Sequence, residues 1–136
     1  MGEVFADITL KNADDVGNAR SGYIKAEDVR EVTVTSVVDT GAHNLYITED
    51  VFKSLGLRIE EHRNATVANG MTVPCWITSP VRIQWEDRYT VVHASVLPGA
   101  NEILMGVIPL EDMDLTIDPK NFKLRGAHGD KPIFRV

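Results

Sequence analysis

The tripeptide Asp39-Thr40-Gly41 is the part of the sequence whose residue types and order are best suited to chemistry. It follows Ser36-Val37-Val38, which is predicted to be the buried end of a strand, where a charge is costly unless it is hydrogen-bonded or paired. Thr40 supplies a hydroxyl group, and Gly41 lets a backbone N–H approach the carboxylate closely. Asp39 is therefore the first candidate for a catalytic residue.

Other residue types that support catalysis or metal binding do not form a recognised pattern. The four histidines lack metal-ligand spacing, and the sequence contains neither a Gly-x-Ser-x-Gly elbow nor a glycine-rich phosphate loop. These histidines are His43, His62, His93 and His128. A nucleophile formed by Cys75 and His93 is less favoured than a small, partly buried thiol. The acidic cluster Glu111-Asp112-Asp114 is predicted to be a solvated face, and no metal site is expected.

Short strands are predicted along most of the chain, because apolar and β-branched residues are interrupted by turn signals about every 8–12 residues. The predicted strands and short apolar runs cover 4–11, 29–38, 66–68, 71–73, 81–85, 89–97, 103–106, 115–118 and 122–124. Asn69-Gly70 predicts a hairpin turn of type I′, in which both central residues have positive φ. This pattern predicts an all-β barrel or sandwich.

Helical signals are few. One convincing helix begins after Thr48, which can cap it, and ends at Gly56. A single helical turn is predicted over Pro109 to Met113, whereas Asn12 to Gly17 is predicted to be a turn.

Size and composition indicate a single globular domain over residues 1–136. The chain has a mass of 15.1 kDa and contains 43% hydrophobic and 25% charged residues, close to the average for globular proteins. Its net charge of −6, with no run of basic residues, argues against binding to nucleic acid or to an anionic membrane surface. With one cysteine, no membrane-spanning segment and no signal peptide at Met1–Asp7, a cytoplasmic location is expected.

The segment Val37–Ala42, followed by Leu45-Tyr46-Ile47, resembles the active-site loop of retropepsin-like aspartic proteases. Three further features occur in the order typical of this family, and the resemblance covers about residues 4–125. The Asn69-Gly70 hairpin resembles the flap, Leu104-Met105-Gly106 the hydrophobic-hydrophobic-Gly motif behind the active-site loop, and Leu110–Leu124 the closing part of bacterial members. Residues 12–26 have no clear counterpart and are expected to form an insertion loop.

The resemblance implies a retropepsin-like acid-protease barrel, with one lobe and one or two short helices per chain. It also implies a homodimer that completes the active site, with Asp39 from each subunit at the axis. In such a dimer Thr40 hydrogen-bonds across the axis, the Gly41 N–H holds the carboxylate, and the tail Pro132–Val136 contributes to the interface. The substrate would be an extended peptide or protein, without a metal or organic cofactor. The residues implied to bind it are Ala42, His43, Asn69, Gly70, Met71, Leu104, Met105 and Gly106.

Aspartic endopeptidase activity of a homodimer is the leading functional hypothesis. A second hypothesis is a catalytically silent module of the same fold that dimerises and binds extended peptides by adding them to its sheet. A third is a monomeric β-barrel carrier. In the simplest structural alternative, Asp39-Thr40-Gly41 is a tight turn whose carboxylate caps nearby N–H groups.

Overall fold

The computed structural model describes residues 3–134, and this range contains nine strands and three α-helices. The strands are β1 (Val4–Asn12), β2 (Glu31–Val38), β3 (Leu45–Ile47), β4 (Ile59–Thr66), β5 (Thr72–Trp85), β6 (Arg88–Val96), β7 (Leu104–Met105), β8 (Leu115–Asp118) and β9 (Lys123–Gly126). The helices are α1 (Ala13–Arg20), α2 (Glu49–Ser54) and α3 (Val107–Asp112). The predicted all-β class is confirmed, but the three helices exceed the predicted one or two.

The larger sheet closes on itself. Within the described range its seven strands follow the order β1-β2-β7-β3-β6-β5-β4, and β8 pairs with β9 in a separate hairpin. β1 also pairs with β5, with Thr9 opposite Gln84 and Asn12 opposite Val81, which joins the two sides of the sheet into a ring. Only β4 lies outside this ring, at the edge of the sheet.

The interior of the ring is the hydrophobic core. Along β1, Val4, Ala6, Ile8 and Leu10 are buried, while the residues between them are exposed or half-buried, as expected for a strand with one face inside. Val51 of helix α2 and Leu55, which directly follows the helix, are part of this core. Within residues 3–134 no helix is long and apolar enough to cross a membrane.

The prediction of a turn over Asn12–Gly17, within an insertion loop over residues 12–26, is wrong at the level of secondary structure, because Ala13–Arg20 is helix α1. The Asn12 side chain caps this helix by accepting a hydrogen bond from the Asp15 N–H at 3.1 Å. Its Nδ2 donates to the Leu55 carbonyl at 2.9 Å, which fastens the start of α1 to the end of α2. Asn and Asp are favoured both in turns and at helix starts, so the local pattern fitted both structures.

An Asp15→Asn substitution is expected to lower the free energy of unfolding by about 2 kcal/mol at neutral pH. Arg30 donates to both carboxylate oxygens, at 2.8 and 2.9 Å, and this holds the pKa of Asp15 below its ordinary value of 3.8. The unfolded chain therefore binds the proton first on acidification. The stabilisation is fully present above about pH 4 and is lost as the pH falls through the lower pKa of the folded state.

Urea unfolding at neutral pH and at about pH 3 measures the difference in the free energy of unfolding between the wild type and the Asp15→Asn protein. The difference should shrink at the lower pH. Asp28→Asn is the matched control and should leave stability unchanged, because Asp28 is exposed and has no ion-pair partner among residues 3–134. An Asp15→Asn deficit of equal size at both pH values would contradict the assigned ion pair.

Candidate active site

The loop that begins at Asp39 is held by the short strand β7. β2 and β7 are parallel neighbours, with Val37 opposite Leu104 and Val38 opposite Met105. The Asp39 N–H donates to the Met105 carbonyl at 3.0 Å, so the last residue of this pairing is the acidic one. A carboxylate is thus placed at the end of β2, directly after the buried Val38.

The far side of the same loop is fastened to the start of α3. The Gly106 N–H donates to the Asn44 carbonyl at 2.9 Å, the Val107 N–H to the Ala42 carbonyl at 2.9 Å, and the Ile108 N–H to the His43 carbonyl at 3.0 Å. β7 also pairs with β3 on its other side, so residues Leu104–Gly106 pass behind the loop between its two ends. This is the arrangement predicted for Leu104-Met105-Gly106.

The Asp39 carboxylate is half-buried and is oriented by its own loop. Its Oδ1 accepts a hydrogen bond from the Gly41 N–H at 2.9 Å, and its backbone carbonyl accepts one from the Ala42 N–H at 3.0 Å. The Thr40 residue is exposed, and its hydroxyl has no hydrogen-bond partner within residues 3–134. The predicted contact of Gly41 with the carboxylate is present.

An apolar cleft of about 450 Å³ opens beside Asp39 and Thr40. One wall is formed by the end of β2, including Val37, and the other by the β8–β9 hairpin, including Ile117 and Phe122. Phe122 is 45% exposed, which is unusual for a large apolar side chain. The cleft leaves the neighbourhood of the carboxylate open to a partner or substrate.

A second, more polar groove of about 530 Å³ begins at His43 and Asn44 and continues between β6 and the β4–β5 hairpin. Glu60, Glu61, Arg63 and His93 also line it, and no sequence pattern had singled out these four for this surface. The alternation of a regular strand places consecutive residues on opposite faces, so it does not predict two consecutive glutamates in one groove. The structure thus brings predicted residue His43 together with four charged or titratable groups.

The predicted flap is the β4–β5 hairpin, but its turn is not of type I′. The Gly70 N–H donates to the Val67 carbonyl at 2.9 Å, and Gly70 has a φ of 84°, whereas Asn69 does not have positive φ. The Asn69 side chain instead accepts the Met71 N–H at 2.9 Å. The tip is therefore a turn followed by one left-handed glycine, which makes the loop three residues long.

The tip residues and the residues behind the loop differ in their access to ligands. Asn69, Gly70 and Met71 are exposed and line neither the cleft beside Asp39 nor the groove beside His43. Met105 and Gly106 are buried, so they position the active-site loop rather than offer a surface to a substrate. Of the residues predicted to bind substrate, Ala42, His43 and Leu104 are at least partly exposed beside the loop.

A family model described as aspartyl protease matches residues 26–111, which include the Asp39 loop, the flap hairpin and the Leu104–Gly106 segment. The chain belongs to the aspartyl protease family. The sequence matches no curated protein significantly.

This aspartyl protease family member is similar to two solved structures. The retroviral protease-like domain of Ddi1 from Leishmania major has a TM-score of 0.59 at 16% sequence identity, over 99% of this chain and 96% of that one. A retropepsin-like aspartic protease from Rickettsia conorii has a TM-score of 0.49 at 19% identity, over 87% of this chain and 94% of that one. The predicted retropepsin-like fold is confirmed.

In residues 3–134 the structure favours neither Cys75 as a nucleophile nor a metal-binding site. Cys75 is buried, and burial raises the pKa of its thiol, an effect that the nearby charge of Arg63 only partly offsets. A thiol with a raised pKa is a poor nucleophile at neutral pH. Residues 3–134 contain no group of three or more His, Cys, Asp or Glu side chains placed to hold a metal ion.

The prediction of a solvated acidic face is correct for Glu111 and Asp112 but wrong for Asp114, which is buried. The Asp114 carboxylate accepts hydrogen bonds from His128 Nδ1 at 2.9 Å and from the Ile133 N–H at 3.0 Å. These bonds satisfy a charge that burial would otherwise make costly. They also tie the end of the described chain to the start of β8.

The predicted interface tail Pro132–Val136 is described only as far as Phe134, and Arg135 and Val136 lie outside the described residues. Residues 132–134 form no strand. Ile133 and Phe134 are nevertheless 57% and 69% exposed, so the anchored part of the tail presents two large apolar side chains at the surface.

Proposed function

We propose that the protein is an aspartic endopeptidase that works as a homodimer, with one Asp39 carboxylate supplied by each subunit. The observation that carries this proposal is the placement of Asp39. Its carboxylate is held by the Gly41 N–H at 2.9 Å, directly after the buried end of β2 and beside an open cleft. Membership of the aspartyl protease family supports the same conclusion.

A dimer is required by the chemistry of the reaction. Two carboxylates at contact distance share one proton, because their mutual repulsion raises the pKa of one of them. The Asp-Thr-Gly sequence occurs once, at 39–41, so a second copy of the chain is the natural source of the second carboxylate. Two-fold symmetry would bring the same residue from both copies to the axis.

The surroundings of Asp39 suit such an axis. Thr40 is exposed, so its hydroxyl would be available for a hydrogen bond to the other subunit. The apolar cleft lined by Val37, Ile117 and Phe122 lies directly beside it and would be covered by the partner. Burial of these apolar side chains would contribute to the free energy of dimerisation.

In this dimer the ionised carboxylate takes a proton from a water molecule, whose oxygen attacks the peptide carbonyl carbon, while the protonated carboxylate donates its proton to the carbonyl oxygen. The C–N bond then breaks, and the leaving nitrogen is protonated. Ala42 and His43 lie next along the loop and would contact the peptide, and the hairpin tip at Asn69–Met71 would close over it. No metal or organic cofactor enters these steps.

The specific activity of the enzyme is expected to increase with protein concentration, because only the dimer carries two carboxylates. Cleavage of a mixed peptide library, measured from acidic to neutral pH over a dilution series, tests this. At high dilution the rate should follow the square of the concentration, and sedimentation should show the matching shift from monomer to dimer.

Two results would count against the proposal in different ways. A constant specific activity from a protein that sediments as a monomer would remove the dimer from the mechanism. Absence of cleavage by a confirmed dimer would remove the peptidase and favour a module that binds peptides without cutting them.

A further inference from the structure

The groove beside His43 is formed by one face of four adjacent strands. In this face Tyr46 of β3 lies opposite Ser95 of β6, Ser95 opposite Ile77 of β5, and Ile77 opposite Glu61 of β4. Apart from Ile77 these side chains carry polar groups. The groove is thus a polar surface of about 530 Å³ that starts at the loop carrying Asp39.

A β-bulge places an additional acidic side chain in this groove. Ile59 pairs with Thr78 and Glu61 pairs with Ile77, so Glu60 is an extra residue in β4. Consecutive strand residues normally point to opposite faces, but here Glu60 and Glu61 both line the groove. Bulges of this kind are found next to active sites, where they redirect a side chain.

The strand opposite the bulge is held in shape by buried hydroxyl groups. The Ala94 N–H donates to Thr78 Oγ1 at 3.1 Å, and the Arg58 N–H donates to Ser79 Oγ at 3.0 Å. The Thr78 carbonyl interacts with His93 Nδ1 at 2.9 Å, and since a carbonyl can only accept, this nitrogen carries the hydrogen. The irregular segment therefore fixes both the backbone and the ring of His93.

The two glutamates of the groove differ in the hydrogen-bond donors that their carboxylates have. Glu61 is paired with Arg63 at 2.9 Å. Glu60 lies 3.6 Å from His93 Nδ1 and 3.9 Å from Arg58, both beyond hydrogen-bond distance.

The two groups nearest to Glu60 are each bound to another partner. His93 Nδ1 donates to the Thr78 carbonyl, and Arg58 pairs with Asp14 at 3.0 Å. Within residues 3–134, Glu60 thus has a carboxylate with no hydrogen-bond donor.

We infer that this groove binds a basic side chain of the peptide substrate and that Glu60 determines the preference for it. The inference rests on the proposed function. Two glutamates face a single arginine, Arg63, along this groove, and Glu60 has free acceptor sites for a Lys or Arg side chain. Because His43 follows Asp39 closely in the loop, a peptide bound across Asp39 extends into this groove.

Peptide binding to the Asp39→Asn protein tests the inference without depending on cleavage. The probes are labelled extended peptide pools in which one position after another is fixed as Lys, Gln or Glu. At one position the Lys pool is expected to bind about fivefold more tightly than the Gln pool, and the Glu pool more weakly than either. Adding Glu60→Gln should remove the preference for Lys, whereas Glu60→Asp should retain part of it.

Glu27→Gln, at an exposed residue of the 3₁₀ turn Ala26–Asp28, makes the same change in net charge away from the groove and should leave the preference intact. Equal binding of all pools, no binding of any pool, or a Lys preference that survives Glu60→Gln would each overturn the inference. A preference for Lys in binding, combined with no cleavage by the wild type, would support the groove and refute the peptidase.

Discussion

The Asp39→Asn protein is expected to cleave peptides at least about 10³-fold more slowly than the wild type, because general acid and base catalysis are both lost. An amide can neither accept the proton of the attacking water nor hold the proton needed by the carbonyl oxygen. In the proposed dimer one substitution removes both carboxylates. The residual rate should be independent of pH across the acidic range in which the wild type is active.

The fold should tolerate this substitution. Asparagine has nearly the shape of aspartate, and its Oδ1 can still accept the Gly41 N–H, which lies 2.9 Å from the aspartate oxygen. We therefore expect thermal unfolding and sedimentation to match the wild type. Asp87→Asn, in the exposed turn between β5 and β6, is the matched control and should keep full activity. Undiminished cleavage by the Asp39→Asn protein would assign the activity to another residue or to a contaminant.

Mixing the wild type with the Asp39→Asn protein distinguishes one active site shared by two subunits from two independent active sites. If subunits exchange freely, an equimolar mixture contains two wild-type subunits in only about a quarter of its dimers. Activity at constant total protein should then fall to about that fraction. A fall to about half would mean that each chain acts on its own.

The position of the candidate catalytic loop was predictable because its determinants are local. Alternating residues in β2 indicate a strand, and the order Asp39-Thr40-Gly41 supplies both the carboxylate and the N–H that holds it. The passage of Leu104–Gly106 behind the loop followed from the family resemblance. Pairing between residues so distant in the sequence leaves no local pattern from which to derive it.

Features that depend on non-local contacts were missed. Helix α1 is stabilised by the bond from Asn12 to the Leu55 carbonyl and by the Asp15–Arg30 pair, which the polar residues over 13–20 do not reveal. The groove beside His43 depends on the bulge at Glu60, which lies opposite the irregular segment of β5 between Ile77 and Pro80. No residue within β4 signals that irregularity.

A Gly106→Ala substitution is expected to lower the free energy of unfolding by about 3 kcal/mol and to slow cleavage about 10²-fold in the protein that still folds. A Cβ atom at this position would lie 2.6 Å from the Asn44 carbonyl oxygen and closer still to the Ala42 oxygen. Both are backbone atoms of the loop that carries Asp39, so the clash cannot be relieved by rotating a side chain. Moving that loop by about 1 Å would reduce the rate about 10²-fold, because the two carboxylates would no longer be in contact with the same water.

Gly17→Ala provides the opposite result within the same chain. Gly17 lies in helix α1, and a Cβ atom there would have nothing within 4 Å. Alanine should therefore stabilise the protein by about 0.5–1 kcal/mol and leave cleavage unchanged, since it reduces the entropy of the unfolded chain. Urea unfolding and peptide cleavage of both variants measure the two effects. Both variants add one methyl group to a glycine, so any difference between them comes from its surroundings. If the Gly106→Ala protein were as stable and active as the Gly17→Ala protein, the Leu104–Gly106 segment would not hold the Asp39 loop in place.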